Sequence, residues 1–163
     1  MENPYIPPQS EVMYIPGVRA AADGKRKLYT PGQVGWACWL GSALPGIYMV
    51  YCNFLALGKP DDAKKYALMG LGVTVVLYTV IFMLPKGFGG VGVSVGMAVA
   101  AQRFVQDKQL KRDDIAASAE YCMESNWRTT GIALLGMAVL LLTLFVGMFL
   151  FLLGKHFLMH HVA

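Results

Sequence analysis

The sequence predicts an all-α, helical integral membrane protein, and three observations carry that reading. Gly32–Gly58, Tyr66–Pro85 and Thr129–Gly154 contain no Asp, Glu, Lys, Arg or His. Only 15% of the 163 residues are charged, against roughly a quarter in a soluble domain. Each uncharged run also meets or nearly exceeds the roughly 20 helical residues that cross a hydrocarbon core of about 30 Å. A soluble protein of this length could not bury three such segments. The expected architecture is three spanning helices plus a short Gly-rich membrane-embedded segment, or fourth crossing.

Residues 1–28 read as a flexible, proline-rich cytoplasmic leader. Four of the eight prolines fall within the first sixteen residues, and proline favours extended backbone. No hydrophobic region follows a short basic start, so a cleavable signal peptide is not expected. Instead "GKRK", Gly24–Lys27, precedes the first uncharged run, which favours an uncleaved anchor with its N-terminus in the cytoplasm. The membrane domain is expected over 29–154, with a short tail at 155–163.

The first span is expected over Gln33–Leu57. Thr30 can cap it and Pro31 suits its first turn. Pro45 should kink it, with Gly41 and Gly46 allowing close approach. Trp36 and Trp39 near one end, and Trp127 at the entrance to the last span, read as interfacial anchors. Asn53 lies near enough to the span's end to reach the interface. The second span is expected over Tyr66–Leu84 and the last over Thr129–Gly154. Between them the polar stretch Arg103–Arg128 contains "DDIAASAEYCM". That segment reads as a short amphipathic helix capped by Asp113, with Ile115, Ala119, Cys122 and Met123 on one face.

"GFGGVG", Gly87–Gly92, fits the spacing of a dinucleotide-binding loop. The residues before it are too long and too apolar a run to be the required strand, and no following strand pattern supports Asp107 as the acid. No Gly-Lys-Ser/Thr occurs either. Gly92, Gly96 and Ala100 instead recur every four residues, the small-residue spacing by which helices approach in lipid. The uncharged part, Gly87–Gln102, would rise only about 24 Å as a helix. With three crossings and the N-terminus inside, the 14 Lys and Arg divide as ten inside and four outside. A fourth crossing makes the split six and eight, so the positive-inside rule favours three.

Chemistry finds little footing. No Ser with His, and no paired Asp, falls within the spans, and no ionisable group lies there for ion coupling. The spans' hydroxyls and amides, among them Ser94, Thr74 and Asn53, have structural defaults. His156 and His160 are four apart, a spacing that can chelate a metal on a helix, but no carboxylate or Cys joins them or His161. Cys38, Cys52 and Cys122 form no C-x-x-C pair and imply no disulfide framework. A pI near 9.0 without a basic stripe reads as cytoplasmic loops, not nucleic-acid binding. No cofactor is expected.

"YTPGQV" at Tyr29–Val34, "NFLALGK" at Asn53–Lys59 and "SNWRTTGIALL" at Ser125–Leu135 resemble small uncharacterised bacterial integral membrane proteins. Those enter their first span from a Y-T-P-G-Q motif and their last from S-x-W. "NPYIPP", Asn3–Pro8, is similar to proline-rich leaders before several bacterial membrane domains. The resemblance implies a helical protein of the bacterial inner membrane and carries no activity. The expected function is non-enzymatic contact with a membrane protein partner, or self-association, as an accessory, assembly or toxin-immunity subunit. The alternative is an oligomeric pore or small-solute transporter lined by Ser94, Thr74 and Asn53.

Overall fold

The computed structural model describes residues 24–83 and 91–161. The chain is all-α: helices α1 (Pro31–Gly41), α2 (Ala43–Ala56), α3 (Pro60–Met83), α4 (Val91–Lys108), α5 (Arg112–Ala117) and α6 (Asn126–His161). Two three-residue strands, β1 (Arg26–Leu28) and β2 (Tyr121–Met123), pair in parallel, with Arg26 opposite Tyr121 and Leu28 opposite Met123. Two helices, over Pro60–Ile81 and Asn126–Lys155, are long and apolar enough to cross a membrane. The expected second and last spans fall on these two helices.

The first expected span is not one helix. α1 and α2 have 11 and 14 residues, or about 16 and 21 Å of rise, each short of a ~30 Å core. The reason lies at residues 41–45. Proline has no N–H to give the carbonyl four residues back, and its ring collides with that carbonyl, so Pro45 is tolerated only in a first turn. The chain therefore ends α1 at Gly41, passes through Ser42 at φ 79°, and starts α2 with Pro45 in its first turn. The expected kink at Pro45 is thus a full break three residues earlier. α2 folds back on α1 so closely that a Cβ on Gly46 would strike the Cys38 sulfur.

Ser42 pairs φ 79° with ψ −176°, a region that only glycine enters without strain. Its hydroxyl is also buried without a hydrogen-bond partner among the described residues. Ser42→Gly relieves both, and is expected to raise unfolding free energy by about 1 kcal/mol. Thermal or denaturant melting in detergent reads this directly.

Polar contacts gather the helix ends at one pole. The Tyr29 N–H donates to Asn53 Oδ1 (2.8 Å), and Asn53 Nδ2 donates to the Tyr29 carbonyl and to Gln109 Oε1, both at 2.8 Å. Gln33 Nε2 donates to the Glu124 carbonyl (2.8 Å) and to Asn126 Oδ1 (2.7 Å). These bonds put the starts of α1 and α6 beside the ends of α2 and α4, with the start of α3 one turn away. The hairpin α1–α2 therefore leaves this pole and returns to it. α3 leads away, α4 comes back, and α6 leads away again alongside α1.

The core is the hairpin itself. Val34, Ala37, Met49, Val50, Cys52, Phe54 and Leu55 are buried together with Ala63 of α3, Val105 of α4 and Ala133 of α6. Small residues set the closest approaches: a Cβ on Gly41 would meet the Ala133 carbonyl, and one on Gly136 would enter the Pro45 ring. Beyond the hairpin's turn, α3 and α6 run on without covering, as Val76 (64% exposed) and Phe145 (62%) show.

The polar stretch also departs from expectation. Arg103–Lys108 belongs to α4, α5 stops at Ala117, and Tyr121–Met123 is strand. Asp113 does not cap α5; the N-cap is Lys111, whose N–H donates to Asp114 Oδ2 at 3.2 Å. Of the expected apolar face only Ile115 is buried, against Leu28 and Ala56. Ser118 ended the helix by turning extended, with its hydroxyl accepting from the Glu120 and Tyr121 N–H groups. The end of the expected leader, Arg26–Leu28, is folded into this layer, while the proline-rich residues lie outside the described ones.

Candidate functional site

The polar pole forms a cap built on two interlocked amides. Thr30 Oγ1 accepts from the Gln33 N–H (3.3 Å) while Gln33 Oε1 accepts from the Thr30 N–H (2.9 Å), a reciprocal cap of α1. Gln33 then donates its amide N–H groups to the Glu124 carbonyl and to Asn126, at the entry to α6. Asn53 closes a second ring, because Gln109, bonded to it, also donates to the Val50 carbonyl at 3.0 Å. Asn53 is 2% exposed and does not reach out to the interface as expected. It is a buried bolt between three segments.

Glu124 is the buried charge of the cap. Its carboxylate accepts from Arg128 Nη1 at 2.8 Å and from the Ser125 N–H at 3.1 Å, with Lys27 Nζ at 3.8 Å. Two cations around one carboxylate leave no uncompensated negative charge, as burial requires. Tyr29 is buried beside this cluster, and desolvation pushes its phenol well above the usual range, the Arg128 charge opposing. Between the starts of α1 and α6 the cap opens a groove of about 580 Å³, lined by Thr30, Gln33, Trp36, Arg112, Glu124 and Thr130.

Among the described residues, nothing packs closely on the glycines of the expected packing stripe. At Gly92 and Gly96 an added Cβ would meet nothing within 4 Å, and Ala100 is exposed. α4 instead packs through another face: a Cβ on Gly35 would lie 3.2 Å from the Ala98 carbonyl oxygen and 3.4 Å from Gln102 Cβ. The start of the glycine-rich segment, Gly87–Gly90, lies outside the described residues. The expected anchors are all outward: Trp36 and Trp39 are about half exposed with rings 5.1 Å apart, and Trp127 is 86% exposed. α6 continues through the expected tail to His161, and the side chains of His156 and His160 lie outside the described ones.

A second cavity, about 280 Å³, lies in the slot between α3 and α4, floored by α2. Tyr66 lines its cap end, stacked on Phe54 at 5.1 Å and meeting Phe104 edge-on at 5.2 Å, and the slot stays open along its outer side. Thr74 lines it but turns its hydroxyl to the Gly70 carbonyl, 2.7 Å away. Asn53 and Thr74 are therefore both spent on internal bonds.

Gln109 and Glu124 were missed as structural keys. Glu124 carried a signal in its i,i+4 spacing to Arg128; Gln109 carried none, since its partners are more than fifty residues away. Comparison with protein-family models, with curated proteins and with solved structures finds no match in any of the three. What the described residues define by themselves is an all-α protein with two helices among them compatible with membrane crossing.

Proposed function

We propose that this chain is a multi-pass protein of the bacterial inner membrane that works by contact with a partner membrane protein, without catalysis. The α1–α2 hairpin dips about 16 Å from the cap, roughly half the ~30 Å core, and returns. α3, α4 and α6 make three crossings, with Arg103 snorkelling toward the cap end of α4. The embedded element is thus the first apolar run, and the glycine-rich segment leads into a crossing. Every described Lys and Arg except Lys155 belongs to the cap or to the helix turns next to it. That asymmetry supports a cytoplasmic cap and a cytoplasmic N-terminus.

The observation that carries the reading is the Gly92/Gly96 face of α4, close-approach geometry that none of the described residues approaches. The exposed far halves of α3 and α6 add further apolar surface. Purification of the full chain in native membrane discs, followed by mass spectrometry, tests the proposal. A stoichiometric protein partner is expected with the wild type and is lost with Gly92→Leu/Gly96→Leu, whose melting temperature stays that of the parent. A homo-oligomer alone, conducting solute above empty-liposome background, overturns it in favour of a pore.

A further inference from the structure

The slot between α3 and α4 has dimensions and charge that point to an occupant other than a protein helix. Its walls run from Tyr66 to Leu77 on α3 and from Met97 to Phe104 on α4. Eleven residues of helix rise make its α3 wall about 17 Å long, close to one leaflet of a ~30 Å hydrocarbon core, and seven make its α4 wall about 10 Å. Its volume of about 280 Å³ falls well short of what a helix about 10–12 Å across would fill over the same length, and a single hydrocarbon chain is far slimmer. The lining is almost wholly apolar, and Thr74 on its α3 wall turns its hydroxyl into its own helix.

The mouth of the slot is basic. Lys65 lies one turn before Met69 on the lining stripe of α3, and its ammonium sits 5.8 Å from the centre of the Tyr66 ring. Lys108 lies one turn beyond Phe104 on the lining stripe of α4. The helix ends that carry the mouth, residues 59–65 and 103–108, hold five Lys or Arg against three Asp. We infer that this slot binds one acyl chain of an anionic phospholipid from the cap-side leaflet, with Lys65 and Lys108 holding the headgroup phosphate. The inference rests on the membrane reading above, but not on the partner at Gly92/Gly96.

The test uses the full chain in vesicles of phosphatidylcholine and phosphatidylglycerol at three to one, with a photoreactive diazirine on the acyl chain of one lipid or the other. Phosphatidylglycerol adducts are expected to concentrate on Met69, Val73 and Met97 over the lipid-exposed Phe145 and Phe149. Ala100→Phe fills the slot from an exposed position, so folding is kept; it should reduce slot adducts to the level on α6. Lys65→Gln and Lys108→Gln should each lower the preference for phosphatidylglycerol about fivefold while leaving acyl adducts in place. Slot labelling no denser than on α6, unchanged by Ala100→Phe, or equal for the two lipids overturns the inference. Cross-linking of the slot to a second polypeptide does so as well. If the chain enters these vesicles and exposes its cap but the slot stays unlabelled, only the lipid site falls and the membrane reading stands.

Discussion

Asn53→Leu is expected to cost about 3–5 kcal/mol, the sum of the buried polar groups it orphans. Among the described residues this side chain alone bonds both the N–H and the carbonyl of Tyr29, and it donates to Gln109 Oε1 as well. Leucine fills the space and satisfies none of them. Each orphaned buried group costs about 1–3 kcal/mol, and Tyr29 is 3% exposed while Gln109 is partly open to water. Because Tyr29 leads into the first turn of α1, the loss also loosens the hairpin where it enters the cap. Denaturant unfolding in detergent, followed by circular dichroism, reads the change. A control at Thr130, whose hydroxyl bonds back to its own helix at the exposed Asn126 carbonyl, should shift by under about 0.5 kcal/mol when replaced by valine.

The second large effect separates two glycines of one helix. Gly136→Ala places a methyl inside the Pro45 ring, with the Gly41 carbonyl oxygen 3.0 Å away. Backbone and a proline ring cannot yield as a flexible side chain would. α6 must therefore move off the hairpin, at about 3 kcal/mol, the upper part of the usual overpacking range. Gly131→Ala sits five residues earlier, where a Cβ meets nothing within 4 Å. There alanine only improves helix propensity, so stability should rise by about 0.5–1 kcal/mol. Opposite signs for the same substitution on the same helix are the expected result. Equal shifts would mean that α6 does not pack on the hairpin's turn.

Much of the helical framework was legible because it rests on local patterns. The uncharged runs marked α3 and α6, and Thr30-Pro31 marked the start of α1. What escaped was decided at a distance or by one backbone angle. A charge-free run from Gly32 to Gly58 reads as a span, since hydropathy averages across the break at Ser42. Gly41, Ser42 and Pro45 held that information, and the reading of Pro45 as a kink stopped one step short of it. The helix expected through Cys122 failed because pairing of β2 with β1, nearly a hundred residues away, outweighs a local amphipathic period. The Gly92/Gly96/Ala100 spacing was visible, but spacing cannot tell whether the neighbour belongs to the same chain. The cap bolts Asn53 and Gln109 were individually ordinary, and only folding brings them together.

The central claim is that the first apolar run turns back at mid-depth, so that both its ends share the cap side of the membrane. Single cysteines at Lys25, Lys59 and Lys155, in a background with Cys122 replaced by serine, test it with a membrane-impermeant thiol reagent on intact cells and on inverted vesicles. Cys38 and Cys52 are buried and stay silent. The account predicts labelling of positions 25 and 59 only in inverted vesicles, and of position 155 only in intact cells. Position 59 labelled from outside, opposite to 25, would contradict it: the first run would then cross, and the hairpin would not exist in the membrane.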